Sequence, residues 1–566
     1  MAYFCIMKIF LAQQNYHIGN FESNTQKIIS AIQSAKEQGG DLVVFSELSV
    51  CGYAPRDFLE FEDFINKSYA AIDVIKQHAD TIGVLVGAPD RNPVREGKDL
   101  FNAAFLLYEK EIKGIAHKTC LPNYDVFDEY RYFEPAYEWN IMQFKGKRLA
   151  VTICEDIWNL GDNPLYRVCP MNELMKQNPD LMINLSASPF DYTHDEDRKA
   201  TIKSNVAKYK LPLFYCNAVG SQTEIVFDGA SLVFDASANL CGELPRFEEA
   251  IHSFVLNDNG TIDAPVIEPA SRMPDKELTP AALEENLNIK MVYDAIVLGI
   301  KDYFAKMGFT KAILGSSGGI DSAVTLVLAC AALGKDNVRA VLMPSQYSTS
   351  HSVNDAEQLS LNLGNPYDII PVENIYNSFL NELKPIFKDL PFSIAEENIQ
   401  SRTRGNLLMA IANKFGYFLL NTSNKSELAT GYGTLYGDMA GGIGVLGDCY
   451  KLQIYELAKY INKDTEIIPI NIITKPPSAE LRPGQKDSDS LPEYEILDKI
   501  LYQYIERRQG PNEIKAQGFD AALVDRVLKM VNVNEYKRNQ FCPIIRISPK
   551  AFGVGRRMPI VGKYLS

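Results

Sequence analysis

The sequence predicts an α/β protein of two large domains, and three observations carry that reading. The chain has 566 residues, beyond the size at which a single hydrophobic core stops growing. Short β-rich apolar runs alternate with amphipathic stretches in both halves. Between the halves, residues 261–288 hold four prolines and no sustained hydrophobic period, as a linker or extended crossover does. The expected domains are therefore 1–260 and 289–566. Hydrophobic residues make up 46% of the chain and charged residues 23%, the balance of ordinary globular protein rather than of disordered or fibrous sequence.

In the first half the strand candidates are MKIFLAQ, DLVVFSE, IGVLVGA, RLAVTICED, DLMINLSAS, PLFYCNAVG and ASLVFDA, and Phe21 to Glu37 has a helical pattern. The second half opens on the helical stretch MVYDAIVLGIKDYFAKMG. The strand KAILG, a glycine turn, the helix SAVTLVLACAALG and the strand RAVLMP follow. That succession is the strand–helix–strand unit of a parallel sheet. No fixed-period repeat or low-complexity tract interrupts it.

A formal net charge of −14 and a pI near 5.1 argue against generic binding to nucleic acid or to an anionic membrane. Phosphorylated ligands must then be held locally. No window approaches the ~18 uninterrupted apolar residues that span a bilayer, and the opening MAYFCIMKIFLAQQ turns polar too soon for a signal peptide. A soluble, cytoplasmic protein is expected. The ten cysteines are scattered singly, without a CxxC pair, beside only six histidines, so reduced thiols are expected and a structural zinc site is not.

Three residues of the first half stand at strand ends, where α/β folds mount chemistry: Glu47, Lys118 and Cys154. Thiol-based amide hydrolysis needs a nucleophile, a proton shuttle to the leaving ammonia and positive charge for the tetrahedral oxyanion. A cysteine, a carboxylate and an ammonium meet those needs. Singly, each has a bland reading as a capping acid, a surface lysine and core filler. Their contexts, FSELSVCGYAPRDF, HKTCLPNYDVFDEYRYF and TICEDIWN, strongly resemble the nitrilase superfamily, with its Glu-Lys-Cys triad in that chain order. The resemblance implies a nitrilase-like α-β-β-α sandwich. It makes Glu47 the general base and acid, Lys118 the oxyanion stabiliser and Cys154 the nucleophile that forms a thioester. Glu155 matches the family too. By the same resemblance Tyr124 and Ser188 are glutamine contacts, and His194 stands where glutaminase relatives often carry a lysine.

In the second half, ILGSSGGIDSAVTLVLA sets a strand before Gly315, Ser316, Ser317, Gly318, Gly319, Ile320, Asp321 and Ser322 and a helix after them. Glycines let backbone N–H groups approach phosphate, serine hydroxyls add donors, and a helix N-terminus adds partial positive charge. This is not a Walker A loop, because no lysine follows the glycines. Asp321 inside the loop would repel phosphate unless a divalent cation bridged them, which implies magnesium.

The pattern SGGxDS resembles the loop of the N-type ATP pyrophosphatases, implying a Rossmann-like parallel domain with ATP as co-substrate. Downstream, EENIQSRTRGNLLMAIANKFG, NTSNKSELATGYGTLYGDMAGGIGVLGD, KPPSAELRPGQKDSDSLPEYEILD and EYKRNQFCPIIRISPKAFGVGRRMPI resemble the NAD synthetase family. With the nitrilase-like half in front, the chain resembles its glutamine-dependent form. That implies a ligase taking deamido-NAD+, ATP and L-glutamine, and a homo-oligomer. On the matching positions, Asp321 and Glu427 are the magnesium and pyrophosphate-side carboxylates, Glu427 alternatively touching deamido-NAD+. Thr422 and Lys451 are ATP contacts, and Asn398 and Lys537 contacts to deamido-NAD+. The family's threonine–glycine pair before NKSE is Thr422-Ser423 here. Another amidating ligase, a nucleotide-regulated carbon–nitrogen hydrolase and a non-enzymatic nucleotide sensor are the competing readings. Pyrophosphate release separates the ligases from the other two.

Overall fold

The computed structural model describes residues 6–160, 164–263 and 289–565. Two compact units divide the chain, residues 1–273 and 274–566.

The first unit runs β1 (Met7–Gln13), α1 (Phe21–Glu37), β2 (Leu42–Val44), α2 (Glu62–Gln77), β3 (Gly83–Arg91), β4 (Leu100–Tyr108), β5 (Glu111–His117), β6 (Met142–Phe144) and β7 (Lys147–Ile153). It continues with α3 (Pro170–Met175), β8 (Leu181–Ser186), α4 (His194–Tyr209), β9 (Leu213–Asn217), β10 (Val219–Gln222), β11 (Ile225–Asp228), β12 (Leu232–Phe234), β13 (Leu240–Glu243), β14 (Ala250–Leu256) and β15 (Ile262–Asp263). Two mixed sheets result, ordered β15-β14-β1-β2-β3-β4-β5 and β13-β12-β9-β8-β7-β6.

Period-two alternation builds the core between them. Met7, Ile9 and Leu11 of β1 join Leu181, Ile183 and Leu185 of β8 in one buried cluster, each such side chain contributing about 1.5–3 kcal/mol. The alternate residues Phe10 and Ala12 turn outward onto Ile28, Ala31, Ile32 and Ala35 of α1 and Ile72 and Ile75 of α2. Those helical positions recur at the spacing of a single helix face, and the Asn20 side chain caps α1 by accepting from Ser23 N. On the other sheet, Met182 and Tyr215 pack under Leu174 of α3 and Ile202 and Val206 of α4. The layers are therefore helix, sheet, sheet, helix.

The second unit opens on α5 (Ile289–Met307), followed by β16 (Ala312–Gly315), α6 (Ile320–Leu333), β17 (Val338–Leu342), α7 (Ser350–Leu363), β18 (Tyr367–Ile369), α8 (Glu373–Phe387), α9 (Ile394–Phe415) and β19 (Phe418–Asn421). After these come α10 (Lys425–Thr430), β20 (Ile443–Gly444), α11 (Lys451–Ile461), α12 (Ile470–Thr474), α13 (Tyr494–Ile505), α14 (Pro511–Ala516), α15 (Ala521–Val533) and α16 (Glu535–Arg538). Its five strands are all parallel, in the order β18-β17-β16-β19-β20. The order reverses beside β16, which is where open α/β sheets bind ligands. Helices α10, α13, α14 and α15 form a separate apolar cluster around Leu497, Leu501, Val527 and Ile544.

Two sequence expectations need correction. PLFYCNAVG reads as one run but divides at Ala218 into β9 and β10, which lie in different sheets. The segment read as a linker supplies Ile262 and Asp263 to the first sheet, paired with Leu256 and Val255; its remainder, 264–288, lies outside the described residues. Among the described residues no helix is long and apolar enough to cross a membrane.

Candidate active sites

Glu47 follows β2, Lys118 follows β5 directly, and Cys154 follows β7 directly. Lys118 is fully buried; its Nζ donates to Glu47 Oε1 at 2.7 Å and to Glu129 Oε1 at 2.8 Å. Asn102 Nδ2 donates to the same two carboxylates, at 2.7 Å to Glu47 and 3.4 Å to Glu129, and Tyr53 OH donates to Glu129 at 2.7 Å. Burial opposes the Lys118 charge, yet Glu129 and Glu47 outweigh it and hold its pKa well above an ordinary lysine's. Glu129 is the member that sequence reasoning missed, although it lies inside the quoted stretch HKTCLPNYDVFDEYRYF.

Cys154 begins a 3-10 turn, Cys154–Ile157, with φ at 43°, in the left-handed region that costs a non-glycine residue roughly 1–2 kcal/mol. Asp156 holds that turn. Its Oδ2 accepts from Ile153 N at 3.0 Å, while Oδ1 accepts from Thr119 N at 2.9 Å and Cys120 N at 2.8 Å. One carboxylate thus ties the Cys154 turn to the two residues after Lys118. Burial and then the charge of Glu47 raise the Cys154 thiol well above the usual range, so it rests protonated and needs a base to become nucleophilic.

Tyr124 OH donates to Glu155 Oε1 at 2.9 Å, next to the cysteine in the chain. Ser188 Oγ and His194 Nε2 share a hydrogen bond of 3.0 Å, and the His194 ring stacks on Trp158 at 4.8 Å and 13°. Trp158 closes the turn that Cys154 opens.

Asp156 gives this site a pH dependence. Burial, only partly offset by its three backbone donors, pushes its carboxyl up to about 6. The ionised form accepts all three N–H groups, so the turn is held above that pH and loosened as protonation proceeds below it. Amide hydrolysis by this thiol at saturating substrate should therefore fall as pH drops through about 6. In Asp156→Asn that limb should flatten, with activity low throughout.

In the second unit the loop from β16 to α6 is braced internally. Ser322 Oγ accepts from Ser317 N at 3.2 Å and donates to Gly319 O at 3.0 Å, and Gly319 N donates to Ser317 Oγ at 3.1 Å. Gly318 has φ of +78°, and a Cβ there would lie 2.1 Å from Ser352 O. Asp321 Oδ1 accepts from Asn424 Nδ2 at 2.9 Å, and Oδ2 pairs with Lys451 Nζ at 2.6 Å. Asn424 also accepts from Glu427 N at 2.9 Å while its own N donates to Glu427 Oε2 at 3.2 Å, so one capping residue fixes both acids.

Burial and then Asp321 hold the Glu427 carboxyl well above the usual range. Asp487, bonded by Tyr494 and Tyr432, is raised by burial. Asp321, Glu427, Asp487, Thr422 and Lys451 all line a cavity of about 300 Å³, together with every loop residue from Gly315 to Ser322 except Gly318.

Arg404 and Lys475 line it too; neither was singled out from sequence. Arg404 Nε donates to Met343 O at 3.0 Å, Lys475 Nζ donates to Ser352 Oγ at 3.0 Å, and burial lowers the pKa of both. Asn398 and Lys537 lie off that lining. Lys537 Nζ donates to the carbonyls of Gly431 and Gly433 at 2.7 and 2.8 Å, and Asn398 Oδ1 accepts from Thr434 Oγ1 at 2.8 Å. They meet on the segment that follows α10.

The chain thus holds a carboxylate–ammonium–thiol site in one unit and a glycine–serine loop with the features of a phosphate site in the other. Residues 8–260 match the carbon–nitrogen hydrolase family and residues 292–541 the NAD synthase family. The chain is 42% identical over 561 residues to the glutamine-dependent NAD(+) synthetase of Synechocystis sp., covering 98% of each chain. It is 40% identical over 580 residues to that of Thermotoga maritima, covering 99% of each. The solved structure of glutamine-dependent NAD+ synthetase from Acinetobacter baumannii in complex with adenosine diphosphate is 37% identical, with a TM-score of 0.77 over 98% of both chains. The chain belongs to the glutamine-dependent NAD(+) synthetase family, with a nitrilase-like unit followed by an NAD synthase unit.

Proposed function

We propose that the chain converts deamido-NAD+, ATP, L-glutamine and water to NAD+, AMP, diphosphate and L-glutamate, with the residues in the roles that follow. The observation that carries this reading is the joint presence of the Lys118-bridged site and the Asp321–Lys451 site in one chain. Glu47 takes the Cys154 proton as the thiolate attacks the glutamine amide carbon. Lys118 stabilises the oxyanion, and the proton passes to the departing ammonia. Water then hydrolyses the thioester, with Glu47 as base. Ser188, His194 and Tyr124 hold the rest of the glutamine.

In the second unit the nicotinate carboxylate attacks the α-phosphorus of ATP, diphosphate leaves, and ammonia displaces AMP from the acyl adenylate. The loop N–H groups and Ser316, Ser317 and Ser322 bind phosphate, aided by Lys451. Asn398 and Lys537 hold deamido-NAD+.

Magnesium fits this site. Asp321, Glu427 and Asp487 put three acids around Lys451, and Glu427 and Asp487 both carry raised pKa values. Among the described residues no group of three or more His, Cys, Asp or Glu is placed to hold a metal ion by itself; magnesium is commonly held by one or two carboxylates plus substrate phosphates. Asp321 and Glu427 would hold it, and when bound it supplies charge neutralisation for diphosphate departure.

The test is deamido-NAD+-dependent pyrophosphate release from ATP, with glutamine or ammonium chloride as nitrogen donor. Release with both donors is the expected result. No release with either would leave a nucleotide-regulated hydrolase as the reading.

A homo-oligomer is supported by the second unit's exposed apolar side chains: Ile375, Phe379 and Ile386 of α8, then Leu390, Phe392 and Ile394. Ile386, 71% exposed, replaced by Glu should shift sedimentation of the full chain toward a smaller species.

A further inference from the structure

We infer that Asn217 is the positioning residue of the glutamine site, acting with Arg198 through one shared carbonyl, that of Gly229. The inference rests on the assignment of Ser188 and His194 to glutamine.

Asn217 is the last residue of β9 and completely buried. Its amide grips Ser188 on both sides: Oδ1 accepts from Ser188 N at 2.8 Å, and Nδ2 donates to Ser188 O at 3.2 Å. Both backbone groups of Ser188 are thereby fixed by a single side chain. The same Nδ2 also donates to Gly229 O at 2.8 Å.

Arg198 reaches that oxygen from the opposite partner of the Ser188–His194 pair. It lies one turn beyond His194 on α4, is 1% exposed, and its Nη1 donates to Gly229 O at 3.3 Å. The same Nη1 and Nη2 fork onto Asp228, at 3.2 and 2.9 Å. Arg246 closes the cluster by bonding Asp228 at 3.2 Å and Asp195, also in the first turn of α4, at 2.7 Å. The rotation of α4, and with it the place of His194, is set by these bonds.

Gly229 suits its position as the meeting point. It has φ of +72°, and a Cβ would lie 2.3 Å from Gln13 Nε2. Its carbonyl therefore stands on a backbone course that a side chain would displace. Ser188 is held from β9 and His194 from α4, and both restraints end on one oxygen. Asn217 and Arg198 touch no substrate in this scheme. They act by keeping Ser188 Oγ and His194 Nε2 at their mutual 3.0 Å, a separation on which recognition of glutamine's polar end depends.

The prediction is a change chiefly in binding: the hydrogen bonds of Lys118 and Asp156 do not involve Asn217, and the nearest link to the chemistry, Ala187 N to Glu47 Oε2 at 3.1 Å, is made by the main chain before Ser188. The full-length protein is assayed for glutamate release and for ammonia-driven NAD+ synthesis as Asn217→Ala, Arg198→Lys and Ser188→Ala. Arg198→Lys keeps the charge beside Asp228 but loses the two-nitrogen fork onto that carboxylate which orients Nη1 toward Gly229 O. For Asn217→Ala and Arg198→Lys the KM for glutamine should rise about ten-fold or more, as loss of one or two hydrogen bonds produces, while kcat stays within about three-fold. Ammonia-driven synthesis should be unchanged. A fall in kcat with KM unchanged, or no change in either, overturns the proposal. If Asn217→Ala does not fold, Arg198→Lys decides on the same criteria. Ser188→Ala separates the two levels. If it leaves KM unchanged, the glutamine-site assignment fails and takes the proposal with it. If it raises KM and Asn217→Ala and Arg198→Lys do not, only the positioning role falls.

Discussion

Cys154→Ala is expected to remove glutamine-driven NAD+ synthesis by a factor on the order of 10⁴ or more, leaving ammonia-driven synthesis at the wild-type rate. Alanine deletes the sulfur that must form the thioester, and neither Glu47 nor Lys118 can supply a covalent substitute. The change also suits the backbone poorly, since Cys154 sits at φ 43°, but alanine meets the same constraint that cysteine already bears. The measurement is NAD+ formed with glutamine or ammonium chloride as sole nitrogen source, with thermal melting to show an intact fold. Equal loss with both donors would mean that Cys154 supports the whole chain rather than the amidase chemistry, and the assigned role would fail.

Gly318→Ala should produce the mirror image, with glutamate release retained and deamido-NAD+-dependent pyrophosphate release reduced about a hundred-fold or more, as an ångström-scale displacement of a binding loop does. Two costs coincide there. A non-glycine residue in the left-handed region is disfavoured by roughly 1–2 kcal/mol, and the new methyl would lie 2.1 Å from the Ser352 carbonyl. That oxygen belongs to the first turn of α7 and cannot swing aside like a long side chain. The loop must move instead, carrying Ser317, Gly319 and Asp321 with it. Wild-type synthesis in Gly318→Ala would show that the loop's approach to α7 is dispensable.

How much of this was legible in the sequence varied with the physical origin of each feature. MKIFLAQ and Phe21–Glu37 coincide with β1 and α1, because a compact β-rich run and a helical stripe differ clearly in period. The β4–β5 hairpin was not read. LFNAAFLLY is nearly continuous in apolar residues, so its period is silent, while EIKGIAH is a mostly solvent-facing edge strand with no apolar face to reveal it. The contexts of Glu47, Lys118 and Cys154 were legible, whereas Glu129 was one acid among Asp125, Asp128 and itself. Only the fold places it, and not its neighbours, on Lys118. Asn217 and Asp156 are not legible because they act through backbone groups brought from other parts of the chain, and Asn424 because its bond to the Asp321 side chain is made only by the fold. Asn398 and Lys537, substrate contacts by resemblance, each bond the segment after α10, next to Tyr432 of the cavity lining but not themselves on it.

The grip of Asp156 on Ile153, Thr119 and Cys120 bears on how such a protein drifts over generations. Its three donors are main-chain N–H groups, which every amino acid except proline supplies. Side chains at 120 and 153 are therefore free to change wherever packing permits, without altering the distance between the ammonium and the thiol. Asp156 has no such latitude, because glutamate is a methylene too long and asparagine offers a donor where an acceptor is required. Among descendants of this chain the acid should be the fixed point, and proline the one residue excluded from the three positions it holds.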